Sequence, residues 1–329
     1  MQAKSVTEAD SNREAFGRAL VELAKKHKFF VLDADVAGGT GVHHFRTAYP
    51  KRYFNCGIAE QSMVCIAAGL QAETDWPVFV TTFAAFGLRA WEHIRLSIGY
   101  CNRNVKVVCS HPGLDVGPDG ASAQSLEDLA CFRAIPKLTV VAPADPVETA
   151  RATEAILLEP GPVYMRTGRS VARRIYGDDY KFKLHFGDVL RDGCDVTIFA
   201  CGVQVARALD AAAIMAGSIE ARVVNVHTIK PLDYVLIHKC AEETGCFVVT
   251  EDHNVHGGLG SAIMEAMRLF PVPTAQVGVR DQFGQSGEPE QLAEAYGLSP
   301  LHIVRAARSV VRITQDPGLR AAWMGRRAG

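Results

Sequence analysis

The sequence predicts an α/β protein of two three-layer α/β/α domains built on mainly parallel sheets. Three observations carry this. Short β-branched and aromatic runs such as FFVLDAD, PVFVTTF and VKVVCS alternate with segments whose apolar residues recur at helical spacing. The runs are apolar throughout, as in parallel strands covered on both faces. The alternation lapses once, in the charged, glycine-containing stretch SVARRIYGDDYKFKLHFGDVLRDGC, and then restarts. At 329 residues the chain has room for two such domains, placed at 1–170 and 189–329 with a linker over 171–188.

Ser11 and Glu14 form an S-x-x-E capping box, and Phe16, Ala19, Leu20, Leu23 and Ala24 then share one helical face up to His27. FFVLDAD is the first strand. A helix around 59–72, the strand PVFVTTF, a helix from about Phe86 to Tyr100 and the strand VKVVCS follow. Next come a helix near 124–134, the strand LTVVAP and a helix from Asp145 to Leu158. Beyond the linker the order is DVTIFACG, a helix from Val203 to Ala216, ARVVNVHT, a helix near 233–243, CFVVTED and a helix opened by HGGLGSA. No short-period repeat or low-complexity tract interrupts the series.

Lys and Arg total 35 against 36 Asp and Glu, so a net charge of −1 supplies no field for a nucleic acid or an anionic membrane surface. Small molecules and protein partners are the expected ligands. The nine cysteines include no C-x-x-C pair, and most lie in apolar runs, which points to buried free thiols in a reducing cytoplasm. The N-terminal stretch has no apolar core of signal-peptide length, and no window approaches the roughly 18–20 apolar residues of a membrane span. A cytoplasmic protein is expected.

Glu60, in FNCGIAEQSM, is a charge set between a glycine turn and residues ready for burial. A first-turn carboxylate that favours the helix dipole would explain it alone. Downstream, TTFAAFGLRAW supplies Phe83, Phe86 and Trp91, and CSHPGLDVGPDGASAQSLED supplies His111, Asp115, Asp119 and Asp128 directly after a strand, where parallel sheets bind ligands. DADVAGGTGV and HGGLGSA are glycine-rich without matching a dinucleotide or phosphate-loop pattern. His43 and His44 lack further ligands at suitable spacing, and His253 and His256 read as loop residues, so no metal site is expected.

Taken together, GIAEQ, TTFAAF, HPGLDVGPDGASAQSLEDLACFRAIPKLTVVAPAD, TEDHNVHGGLGSAI and FGQSGEPEQLAEAYGL resemble, in order, the C-terminal two-thirds of the thiamine diphosphate-dependent transketolases, from about Arg13 to Arg308. The resemblance implies a pyrimidine-binding domain followed by a transketolase C-terminal domain. It implies that Glu60 hydrogen-bonds N1′ of the cofactor's aminopyrimidine and, being buried, shares a proton with it, so that the 4′-imino nitrogen removes the thiazolium C2 proton. Phe86 would stack on the aminopyrimidine, Phe83 and Ile58 would line the same pocket, and Asp35 would lie beside the cofactor. His111 and Asp119 would contact sugar hydroxyls, with His111 also catalytic. Arg13 and Arg166 would bind a sugar phosphate, as bidentate guanidinium groups do.

The family's diphosphate and Mg²⁺ half carries a GDG motif followed roughly 25 to 30 residues later by Asn, and no such pattern occurs in this sequence. The resemblance therefore implies the C-terminal subunit of a split transketolase, active with an N-terminal partner in an α2β2 assembly with sites at the interfaces. Two positions depart from the pattern: Ala123 stands where the family usually has a histidine, and Gly39 where a phosphate-contacting serine is expected. A donor or acceptor other than the usual pentose phosphates is the expectation. The alternatives are a 2-oxoacid dehydrogenase beta subunit, a deoxyxylulose phosphate synthase-like acyloin former, and a degenerate half-enzyme acting as a scaffold.

Overall fold

The computed structural model describes residues 9 to 325. Fourteen strands form three sheets: β1 (Ala9–Ser11), β2 (Phe30–Asp33), β3 (Tyr53–Asn55), β4 (Val78–Phe83), β5 (Val105–Ser110), β6 (Thr139–Val141), β7 (Val163–Thr167), β8 (Val171–Arg173), β9 (Asp188–Arg191), β10 (Val196–Ala200), β11 (Ala221–Asn225), β12 (Thr228–Lys230), β13 (Phe247–Asn254) and β14 (Thr274–Val279). The larger sheet runs β12-β6-β7-β5-β4-β2-β3 and is parallel except for β12. The second runs β14-β13-β10-β11-β9, with β9 antiparallel at its edge. A two-stranded ribbon pairs β1 with β8.

The apolar runs are buried as their composition requires: every residue of β5, β7, β10 and β11 is buried. Phe29, Phe45 and Phe79 pack with centroids 5.3–5.4 Å apart under the first helix, Asn12–Leu23. Truncating Phe79 to Ala would cost about 3–5 kcal/mol. Ser11 caps that helix by accepting from the Glu14 amide, and Asp145 caps Pro146–Leu158 by accepting from the Glu148 amide.

The structure departs from the sequence expectations in four places. The single helix expected from Phe86 to Tyr100 is four pieces: Ala84–Gly87, the 3₁₀ turn Leu88–Ala90, Trp91–His93 and a π-helical stretch, Ile94–Tyr100. Within it Gly99 lets Ile135 approach so closely that a β-carbon would sit 2.8 Å from Ile135 Cγ2. The run ARVVNVHT divides into β11 and β12, and β12 leaves its own domain to close the edge of the first sheet beside β6. The stretch between the domains is bounded by β8, paired back to the N-terminus, and β9, paired to β11. Of the nine thiols, all free, only Cys109, Cys201, Cys240 and Cys246 are buried; Cys65, Cys101 and Cys194 are exposed. Among the described residues no helix is long and apolar enough to cross a membrane.

Candidate active site

Most of the residues picked from the sequence lie at or just past the carboxyl ends of the parallel strands of the first sheet, the side on which such sheets bind ligands. Gly57, at φ 72°, turns the chain after β3 into the helix Glu60–Thr74 and sets Glu60 in its first turn. The Glu60 side chain is only 2% exposed, and its Oε2 accepts from Arg89 Nη1 at 3.1 Å. Among the described residues Oε1 accepts no hydrogen bond. Phe86 stacks on Phe83 at 5.2 Å with 20° between planes, and the Arg89 guanidinium lies 5.8 Å from the Phe86 ring. Ile58, beside the buried carboxylate, is 79% exposed.

Two aspartates of DAD divide in role. Asp33 is buried and accepts from the Val36 amide, Thr81 and Tyr53, with burial raising its pKa. Asp35 faces outward in a left-handed conformation and accepts from Asn55 Nδ2 at 2.7 Å. Asp33 thus braces the turn that presents Asp35 at the rim.

His111 closes β5 with a positive φ of 61°, uncommon for histidine. Its ring lies 3.7 Å from Phe83, nearly parallel, and its Nδ1 shares a hydrogen bond with Ser110 Oγ at 2.8 Å. Nε2 points to Asp119 Oδ2 at 3.8 Å, and Asp119 Oδ1 lies 3.5 Å from Arg169. Burial, then the charges of Arg13 and Arg169, lower the His111 pKa to about 3, so the imidazole is neutral at ordinary pH. Arg13 Nη1 donates to the Gly39 carbonyl at 3.1 Å, and Ser110 Oγ donates to the same oxygen. Arg13, His111, Asp119 and Arg169 therefore form one charged cluster beside the Phe83–Phe86 wall.

Arg166 does not join it. It is buried in β7, donates to the Asp252 carbonyl at 2.8 Å and pairs with Asp128 at 3.5 Å, tying β7 to the second domain. Burial works to lower its pKa, but Asp128 leads the neighbours that outweigh it and hold the guanidinium charged. The arginine that faces His111 and Asp119 is Arg169, three residues on. Arg169 and Arg89 were both missed in the sequence, although Arg169 was visible as the second arginine of the same MRTGR run.

Gly39 has a steric reason to be glycine: a β-carbon there would lie 2.4 Å from the Phe83 ring. Ala123 is buried in the loop that follows the 3₁₀ turn Leu114–Asp119. That loop is held from the second domain, because Asp252 accepts from the Leu114 and Asp115 amides at 2.9 and 3.0 Å, and Gly113 packs so tightly on Asp252 that a β-carbon would come within 2.3 Å of its carboxylate. Gln124 Nε2 also donates to Gln285 of the second domain. The histidine pair His43 and His44 does gain a neighbour, Glu14, which is 2.7 Å from His44 Nε2; the three are half-buried.

Comparison with known proteins places these features in a family. Residues 9–174 match the transketolase pyrimidine binding domain and residues 187–303 the transketolase C-terminal domain. A putative transketolase C-terminal section of Methanocaldococcus jannaschii is 42% identical, covering 87% of this chain and 92% of its own length. The 6-deoxy-6-sulfo-D-fructose transketolase subunit SqwH of a Clostridium species is 41% identical over 91% of this chain and 94% of its own. Rat transketolase is 35% identical over 92% of this chain but only 49% of its own length. A solved structure described as a split gene transketolase, inactive beta4 tetramer, superposes with a TM-score of 0.83 at 41% identity, covering 92% of this chain and 98% of that one. The chain belongs to the transketolase family, carrying its pyrimidine-binding domain followed by its C-terminal domain.

Proposed function

We propose that this subunit, joined to an N-terminal partner carrying the GDG and Asn motif, transfers a two-carbon ketol unit from a ketose to an aldehyde in an α2β2 assembly in the cytoplasm. The single observation that carries this is the buried Glu60 carboxylate with one oxygen uncommitted, linked through Arg89 to the Phe83–Phe86 stack, with exposed Ile58 two residues before it. These residues fit the aminopyrimidine of thiamine diphosphate: an acceptor for N1′, an aromatic face in Phe86, apolar walls in Phe83 and Ile58, and Asp35 at the edge. When bound, the cofactor supplies a carbon nucleophile and electron sink for cleavage beside a carbonyl. Mg²⁺ and the diphosphate fall to the partner, whose contact face on this chain includes Ile58, Phe54, Ile66, Leu96 and Tyr100, all exposed apolar side chains.

On this chain Glu60 shares the N1′ proton, with Arg89 fixing the other carboxylate oxygen. Neutral His111, whose Nδ1–H donates to Ser110, accepts a hydrogen bond at Nε2 from a substrate hydroxyl and draws on that hydroxyl's proton. Asp119 accepts from a second hydroxyl. Arg13 and Arg169 hold an anionic terminus. With glycine at 39 and alanine at 123, that terminus and its neighbouring hydroxyls meet fewer donors than a pentose phosphate would use. We therefore assign an anionic ketose or aldose outside the usual pentose phosphates; the named substrate of the Clostridium relative, a sulfonate-ended sugar, is of this chemical type.

Calorimetry of thiamine diphosphate with Mg²⁺ tests the split site: the mixture of both chains binds and neither chain alone does. Tight binding by this chain alone would refute the division of the cofactor. In the assembled enzyme Glu60→Gln, which keeps the volume and the Arg89 contact partner, should lower kcat by more than about a hundredfold. Full activity in that variant would remove Glu60 from the chemistry, and ordinary efficiency on xylulose 5-phosphate with ribose 5-phosphate would overturn the substrate assignment.

A further inference from the structure

A second constellation lies away from the active-site rim, where the two domains meet. Glu148, on the helix Pro146–Leu158 of the first domain, is fully buried; its carboxylate accepts from the Ala144 amide, from Asn225 Nδ2 at 2.9 Å to each oxygen, and from Tyr180. Asp188, at the start of β9 in the second domain, accepts from the hydroxyls of Tyr176 and Tyr180. His227, between β11 and β12, is fully buried with its ring against Phe182 at 4.3 Å. One ligand atom from each of Glu148, Asp188 and His227 lies within 4.8 Å of the others.

Two atoms in this cluster have no protein partner among the described residues. They are His227 Nε2 and Asn225 Oδ1, both on residues with 0% exposure. Buried polar atoms without partners are rare in folded proteins, and here an imidazole nitrogen and an amide oxygen are left over beside two carboxylates. Asn225 Nδ2 binds both Glu148 oxygens, which sets this amide beside that carboxylate. We propose that Glu148, Asp188 and His227, with Asn225 Oδ1 as a fourth ligand, bind a divalent first-row transition cation that bridges the two domains.

The ligand chemistry selects the ion. One imidazole with carboxylate and amide oxygens suits Zn²⁺ or Mn²⁺, whereas Mg²⁺ demands an octahedral oxygen shell and keeps its waters. The ligand atoms lie within 4.8 Å of one another, against edges of about 3.4 Å in a tetrahedral zinc shell, so an inward movement of no more than about 1.4 Å closes the shell. Asp188 is only partly buried and leaves an entry path from solvent. Tyr176 and Tyr180 would orient Asp188 from outside the ligand set, as outer partners do in metal sites. This ion is separate from any Mg²⁺ at the cofactor, and its test needs no turnover.

The full chain, stripped with chelator and desalted, is titrated with Zn²⁺ and Mn²⁺ by calorimetry, with Mg²⁺ as the control, and its metal content is measured after gel filtration. One equivalent of Zn²⁺ or Mn²⁺ is expected, with a raised melting temperature. His227→Ala and Asp188→Asn should each weaken binding at least tenfold and abolish the thermal shift, while a His43→Ala/His44→Ala double variant should bind as the parent does. Should His227→Ala fail to fold, Asp188→Asn, on a partly exposed edge strand, decides the matter. Absence of uptake by the parent chain, uptake undiminished in Asp188→Asn, or uptake lost only with His43 and His44 would overturn the proposal.

Discussion

Substituting Arg166 and Arg169 separately divides the work of two arginines that stand three residues apart. Arg166 is 8% exposed at its side chain, pairs with the fully buried Asp128 and donates across the domain junction to the Asp252 carbonyl. Arg166→Met leaves Asp128 a buried charge sharing only the Tyr164 hydroxyl; breaking a buried pair from one side costs about 3–5 kcal/mol. At roughly 2–4 °C per kcal/mol for domains of this size, the melting midpoint should fall by about 10 °C. Arg169 is 31% exposed and meets Asp119 at 3.5 Å, a pair worth under about 1 kcal/mol to the fold. Losing its charge-assisted contact to an anionic substrate costs about 1.5–3 kcal/mol, a ten- to hundredfold rise in KM. Thermal unfolding of each variant, and steady-state kinetics after assembly with the partner, read the two effects independently. A stable Arg166→Met with a raised KM, or an Arg169→Met that unfolds early with KM unchanged, would refute the assignment.

Gly39→Ser should destabilise the chain by about 1–3 kcal/mol, because the new β-carbon meets the Phe83 ring at 2.4 Å and drives it from its stack on His111; adding Phe83→Leu should recover most of the loss in a denaturant titration. His111 should remain neutral far below pH 6.5, titrating near pH 3 by NMR of its ring protons, and Arg169→Met should raise that value. Because the folded pKa is depressed, the unfolded chain binds the proton first, so stability drains as pH falls from about 6.5 toward 3; a ring titrating near 6.5 in the folded chain would contradict this. Asp252→Ala strips acceptors from the Leu114 and Asp115 amides, at about 1–3 kcal/mol for each buried donor left unpaired. Hydrogen exchange should show those two amides losing protection ahead of the neighbouring strand β5.

The long apolar runs were legible because a strand buried on both faces needs nothing but apolar residues. Three-residue edge strands such as β3, β8 and β12 carry no usable period, and β12 draws its partner from the other domain. Glu60 stood out because a charge beside residues destined for burial needs a partner, and the structure supplies Arg89 on one side only. Phe83 and Phe86, set in one pocket by the resemblance, do stack on each other, the first ending β4 and the second in the helical turn Ala84–Gly87. Arg166 and Arg169 were not separable in this way. Their chemistry is identical, and only the end of β7 at Thr167 decides that one points into the domain junction and the other lies past the sheet at its open edge. The proximity of Glu148 to Asp188 and His227 was equally hidden, since it depends on how the two sheets come together.

The grip of Asp252 on the loop after Gly113 bears on how such chains can be recombined. A carboxylate of one module fills the room left by a missing side chain in the other, so the two positions behave as a matched pair across a junction that sequence boundaries would treat as a clean cut. A chimera that takes its first module from one relative and its second from another inherits a properly held loop only when glycine and aspartate travel together, and library designs that cross over between residues 174 and 187 should be filtered on that pair before any other contact.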